Sequence, residues 1–106
     1  MIQEKLVEII KKYDIEKRSI ESFWDVFGYY MQEEQEEFQY EFPNYNKDKL
    51  KVEIKKISYK LGNWPYCDYN HIVVELKVFF DSKNMGNYIV YFSLDGEIED
   101  DYFLSR

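Results

Sequence analysis

Cys67, Asp68 and His71 stand within five residues of one another. A thiol, a carboxylate and an imidazole are the parts of a nucleophile, an orienting group and a base. Their closeness argues against that use, because catalytic triads are assembled from distant segments and these three share one loop. They read as a loop cysteine beside a strand-edge histidine. A structural zinc site needs four Cys or His ligands, and the chain has one Cys and one His. Asp95, Glu97, Glu99, Asp100 and Asp101 could attract calcium, but their glycine is misplaced for an EF-hand loop. Asp81 to Gly86 has Asp first and Gly last, yet Lys83 and Met85 stand where oxygen ligands belong. No G-x-S-x-G, H-E-x-x-H or glycine-rich phosphate cradle occurs. Among 21 acidic residues nothing singles out a general acid/base pair. The expectation is a protein that is not an enzyme and uses no cofactor and no metal.

The other chemistry is aromatic. The chain holds 11 Tyr, 8 Phe and 2 Trp, a fifth of its residues, so the core alone does not absorb them. Trp64, Tyr66 and Tyr69 stand in the stretch GNWPYCDYN, where Gly and Pro punctuate a loop. Tyr and Trp on a loop offer large, rigid contact area at low entropic cost, which is why protein interfaces favour them. The competing reading folds Trp64 back to cap the sheet edge, as loop aromatics often do in small cores. The carboxylates expected to rim such a contact, and to steer a basic partner, are Glu36, Glu37, Glu41, Asp68, Asp100 and Asp101.

The elements that must position these groups follow from periodicity. Ile2, Leu6, Ile9, Ile10 and Tyr13 recur at helical spacing opposite Glu4, Glu8, Lys11 and Lys12, a short amphipathic helix ending near Asp14. Ser19 is placed to cap a second helix, along which Ile20, Phe23, Trp24, Phe27, Tyr30 and Met31 form a stripe that reads as core. That helix fades in QEEQEE, where like charges crowd at three- and four-residue spacing. Phe38, Tyr40 and Phe42 then alternate with Gln39 and Glu41, the period of a strand, and Pro43 stops it. Leu50, Val52 and Ile54 begin a second strand whose apolar phase slips at Lys55–Lys56, the mark of a β-bulge. His71 to Phe80 is a third strand, Tyr88 to Leu94 a fourth, and Asp95–Gly96 a hairpin turn to a last short strand near Tyr102 to Leu104. The expected architecture is α+β: one domain over residues 1–106, with two N-terminal helices packed on one face of a four- to five-stranded antiparallel meander sheet.

Composition bounds the rest. The net charge of −7 disfavours nucleic acid and anionic membranes, which need cationic surface, and suits a basic partner or simple solubility. The first twelve residues are too charged for a signal peptide, no stretch has the length of a membrane span, and a lone cysteine suits a reducing compartment, so the expectation is cytoplasmic. Charge falls in blocks. Glu33 to Asn46 holds five acids and no base, Lys47 to Lys60 six lysines against Asp48 and Glu53, and Asp95 to Arg106 five acids against one Arg. The simplest expectation sets the lysine strand beside an acidic neighbour in the sheet.

In layout, helices before an antiparallel meander in a short, acidic, aromatic-rich chain, the sequence resembles the small immunity proteins of bacterial polymorphic toxin systems. The stretches that carry the likeness are WDVFGYY, EEQEEFQYEF and YFSLDGEIEDDYF. The resemblance implies a module that blocks a basic toxin or nuclease domain by occlusion, with complementary charge speeding encounter and aromatic anchors slowing release. The alternatives are a cystatin-like or NTF2-like domain with an apolar pocket for a small ligand, and a homodimeric structural or regulatory protein joined through a strand edge. The inhibitor reading requires loop aromatics and carboxylates to share an exposed face. The pocket reading requires an enclosed cavity with inward polar groups such as His71 or several tyrosines.

Overall fold

The computed structural model describes residues 2–106, leaving aside the side chain of Ile2, so the place given to Ile2 on the first helix's apolar face lies outside the described residues. Three α-helices are described, α1 (Ile2–Lys12), α2 (Ile15–Glu33) and α3 (Gln35–Glu41). They are followed by β1 (Leu50–Lys60), β2 (His71–Phe80), β3 (Lys83–Phe92) and β4 (Ile98–Ser105). The strands form one open antiparallel sheet in the order β1-β2-β3-β4, so the chain is α+β.

Two helical details depart from the sequence reading. The alternation Phe38-x-Tyr40-x-Phe42 belongs to helix α3 and its cap, not to a strand. Phe38 and Phe42 are buried whereas Tyr40 is 83% exposed. Two residues four apart share a helix face and the one between them points away, while a strand would have put all three on one face. Ser19 does not cap α2, because the helix begins a turn earlier at Ile15. Ile15, Ser19, Phe23 and Phe27 are the buried residues of α2, spaced four apart, and the Ser19 hydroxyl donates to the Ile15 carbonyl at 2.7 Å. A serine that satisfies its own hydroxyl on the preceding turn sits comfortably inside a helix.

Along β2 every even position from Ile72 to Phe80 is buried. Those residues join Leu50 of β1, Tyr88, Val90 and Phe92 of β3, and the helical Ile15, Phe23, Phe27, Phe38 and Phe42 in one core. The Phe27 ring lies 5.2 to 6.0 Å from those of Phe23, Trp24, Phe38, Phe42 and Tyr45, an aromatic cluster that Phe42 continues onto Phe80 of the sheet. The opposite sheet face is mixed. It carries Lys51, Lys56, Lys60, Glu75, Lys77 and Asp100 together with His71, Ile89, Tyr91 and Tyr102.

The bulge falls between Ile54 and Lys56, where the apolar phase slips. β3 starts at Lys83, five residues before the strand read from Tyr88, because Asp81 and Ser82 both adopt positive φ and close a two-residue hairpin. The Asp95–Gly96 turn is a three-residue loop closed by the Ser93 amide on the Glu97 carbonyl at 2.8 Å. Gly96 there has φ +85 and its Cα faces the Tyr13 ring, so both conformation and space ask for glycine. Arg18 of α2 fastens that turn, donating to the Gly96 carbonyl at 2.6 Å with its guanidinium over Phe92.

Candidate protein-binding surface

The loop between β1 and β2 is built from its own hydrogen bonds. The Cys67 amide donates to the Asn63 carbonyl at 2.9 Å, and the Asn70 side chain donates to the Cys67 carbonyl at 2.8 Å while accepting from the Gly62 amide at 3.2 Å. Asn63 donates to the Asp68 carboxylate at 2.8 Å. Gly62 lies so close to the Tyr69 carbonyl that a Cβ there would collide with it. These ties hold the loop in one shape without using its aromatic rings. Trp64 is 75% exposed, Tyr66 83% and Tyr69 57%. Trp64 therefore does not close the core, and a cis peptide joins it to Pro65.

The aromatic surface continues past the loop onto the sheet. Tyr69 meets His71 edge to face at 4.4 Å, His71 meets Tyr91 at 5.6 Å, and Tyr91 meets Tyr102 at 6.1 Å. His71 is only 4% exposed, and its Nε2 lies 2.9 Å from a Glu99 oxygen. Glu99 reaches it from a register shift between Tyr91 and Phe92, which leaves Glu99 unpaired in the ladder. The Tyr91 hydroxyl accepts from Lys60 Nζ at 3.3 Å. Hydrogen bonds from Tyr102 and then from Lys60 hold the Tyr91 pKa below the ordinary phenol value, because both stabilise the phenolate. Cys67 has no part in this chain of contacts. The imidazole's partner is a carboxylate 28 positions away, not the neighbouring Asp68.

The nine residues singled out in the sequence are not brought together. Trp64, Tyr66, Asp68 and Tyr69 share the loop, and Asp100 lies opposite Tyr91 on the same sheet face as His71. Asp101 points to the other face, where it accepts from the Tyr88 hydroxyl at 2.6 Å, so its carboxylate is part of the fold. Glu36, Glu37 and Glu41 stand on α3, and the Phe42 that ends this helix packs on Phe80. The loop enters β2 at His71, and Phe80 closes this strand of ten residues. At about 3.3 Å per residue the two groups are about 30 Å apart. Glu37 and Glu41 line a cleft of about 420 Å³ with Phe23, Tyr30 and Arg106 among its walls. Burial first, then Glu37 and Glu41, pushes Tyr30 up to about 12. Sequence reading missed His71, Tyr91, Tyr102 and Glu99 as a group. The odd positions of β2 and β3 signal His71 and Tyr91, but Glu99 enters through a bulge that periodicity does not mark.

No protein-family model, no curated protein and no solved structure matches the chain. Among the described residues no three His, Cys, Asp or Glu side chains stand together in a way that could hold a metal ion. Among the described residues no helix is long and apolar enough to cross a membrane.

Proposed function

We propose that this chain is a small cytoplasmic binding protein that blocks a basic protein partner by occlusion, as the immunity proteins it resembles block their toxins. The observation that carries the reading is the loop whose backbone and polar side chains fix one another while Trp64, Tyr66 and Tyr69 stay in solvent. A loop backbone fixed before contact loses little entropy on binding, and Trp and Tyr add few side-chain torsions to be ordered, which favours an interface hot spot. Tyr69, Tyr91 and Tyr102, joined through the buried His71, extend the contact across the sheet, where Asp68, Glu99 and Asp100 stand on a face that also carries Lys56 and Lys60. The α3 glutamates lie several screening lengths away and act only through the net charge of −7. The test is retention of partners from source-cell lysate on immobilised protein, beside a Trp64→Ala/Tyr66→Ala variant. A basic protein held by the wild type, released by salt and absent from the variant supports the reading. Equal retention by both contradicts it.

A second reading has its own observation. The α3 cleft has the volume of small-molecule sites, and Tyr30, Lys83 and Arg106 stand in its mainly apolar walls. Filling it with Val26→Trp, with melting temperature followed across a ligand library, tests this. Shifts that the variant abolishes favour a small ligand, and a library without a shift disfavours it.

A further inference from the structure

The lysine strand and the acidic strand are not neighbours. β1 pairs with β2, where Glu75 alone offers an anion, at 3.2 Å from Lys56, while the acidic β4 closes the opposite edge of the sheet. The expected pairing of lysines with an acidic neighbour is met inside the chain by Glu75 on Lys56, the acidic strand itself lies at the far edge, and the sheet ends in two edges of opposite charge. On or beside β1 stand Lys47, Lys49, Lys51, Lys55, Lys56 and Lys60 against Asp48 and Glu53. On or beside β4 stand Glu97, Glu99, Asp100 and Asp101 against Arg106. Both edges present unpaired backbone N–H and C=O groups, the template for adding a strand.

We propose that copies of this chain associate edge to edge, with β4 of one copy pairing antiparallel to β1 of the next. β4 runs antiparallel to β1 within the chain, because three antiparallel steps separate them, so a second copy in the same orientation continues the meander. The register already in the sheet sets levels. Tyr88 links Phe103 to Leu76 and thence to Ile54, Ile89 and Glu75 link Tyr102 to Lys56, and Phe92 and Ile72 link Ile98 to Tyr59. Continuation at the same level brings Phe103 against the next copy's Ile54, Ile98 against its Tyr59, and Tyr102 against its Lys56. Asp100 falls level with the next copy's Ser58, diagonal to Lys56 and Lys60. Phe103 and Ile98 thus meet apolar side chains and Asp100 has lysines a diagonal step away, while Leu104 falls level with Glu53 and Asp101 with Ile57.

Charge also excludes the two-fold alternatives. β1 against β1 sets lysine-rich strands side by side. β4 against β4 sets two acidic strands side by side, with Arg106, just beyond each strand, as the nearby cation. The remaining pairing is heterologous, and sheet twist of about 20° per strand turns each copy relative to the last, so the assembly is open-ended and its size rises with concentration. The Trp64 loop lies at the strand ends, whereas Tyr102, Glu99 and Asp100 of β4 belong to both surfaces, so the test of this inference uses the chain alone, with no partner present.

The test uses sedimentation of three proteins, the wild type, Lys51→Glu/Lys55→Glu and Asp100→Lys/Glu97→Lys, each checked for native circular dichroism. These positions avoid the Glu99 and Asp101 carboxylates that bond within the fold. The wild type should rise above its 13.1 kDa monomer with concentration in low salt and return to it in about 0.5 M NaCl. Each variant alone, with no charge attraction left between its two edges, should stay monomeric, and their equimolar mixture, which retains one wild-type β1 edge and one wild-type β4 edge, should form pairs. A wild type that stays monomeric in low salt overturns the proposal. So does a folded variant that self-associates as the wild type does, or a mixture of folded variants that remains monomeric.

Discussion

Aromatic residues in this chain do two different jobs, and single substitutions separate them. Phe27 sits among five rings in the core, so Phe27→Ala should cost about 3–5 kcal/mol in chemical denaturation. Trp64→Ala and Tyr66→Ala remove side chains that are mostly in solvent, and each should change stability by less than about 0.5 kcal/mol. Tyr88 couples the layers, donating to Asp101 and sharing a 2.8 Å hydrogen bond with Ser22. Tyr88→Phe leaves Asp101 and Ser22 without that partner and should cost about 1–2 kcal/mol. The tyrosines also set an alkaline limit. Unfolded tyrosines lose their protons near pH 10, whereas burial and Glu37 hold Tyr30 protonated to about 12, and burial with Asp101 pushes Tyr88 up as well. The folded state then binds more protons than the unfolded one, so this stabilisation is complete below pH about 10 and is lost as pH rises towards 12. Urea midpoints at pH 9 and pH 11 should differ accordingly, and Tyr30→Phe/Tyr88→Phe should reduce the difference. An unchanged difference in the variant would contradict the assignment.

Elements were legible where one residue pattern had one structural meaning. β2 alternates from Ile72 to Phe80, and the slip at Lys55–Lys56 marks the bulge of β1 because every later side chain changes face. Phe38, Tyr40 and Phe42 had two meanings, since three residues cannot separate a period of two from a spacing of four. Only burial decides between them. Gln39→Pro tests the outcome: inside helix α3 it removes a backbone hydrogen bond and should cost about 3 kcal/mol or more. A near-neutral effect would favour the extended reading. The start of β3 was hidden for another reason, because Asp81–Ser82 turns through positive φ without the Asn-Gly or Asp-Gly pair that usually announces it. The loop aromatics were legible from composition and punctuation. The His71–Glu99 contact was not, since it joins β2 to β4 across a bulge.

At the scale of the molecule, sequence showed how much charge there is but not how it is distributed in space. Three blocks along the chain become a basic sheet edge, an acidic sheet edge and an acidic helix, and the molecule measures 47 Å in its longest direction. Acidic helix and aromatic loop are too far apart to form one compact patch, so contact belongs to the loop and long-range attraction to the net charge. Raising salt should therefore slow capture of a basic partner while leaving its release little changed. The most direct measurement of the central claim is the side-by-side retention of partners by wild type and by the Trp64→Ala/Tyr66→Ala variant, with both proteins shown to melt alike. The account predicts a basic protein on the wild type and its loss from the variant. An equal yield of the same partner from both would place the binding surface elsewhere.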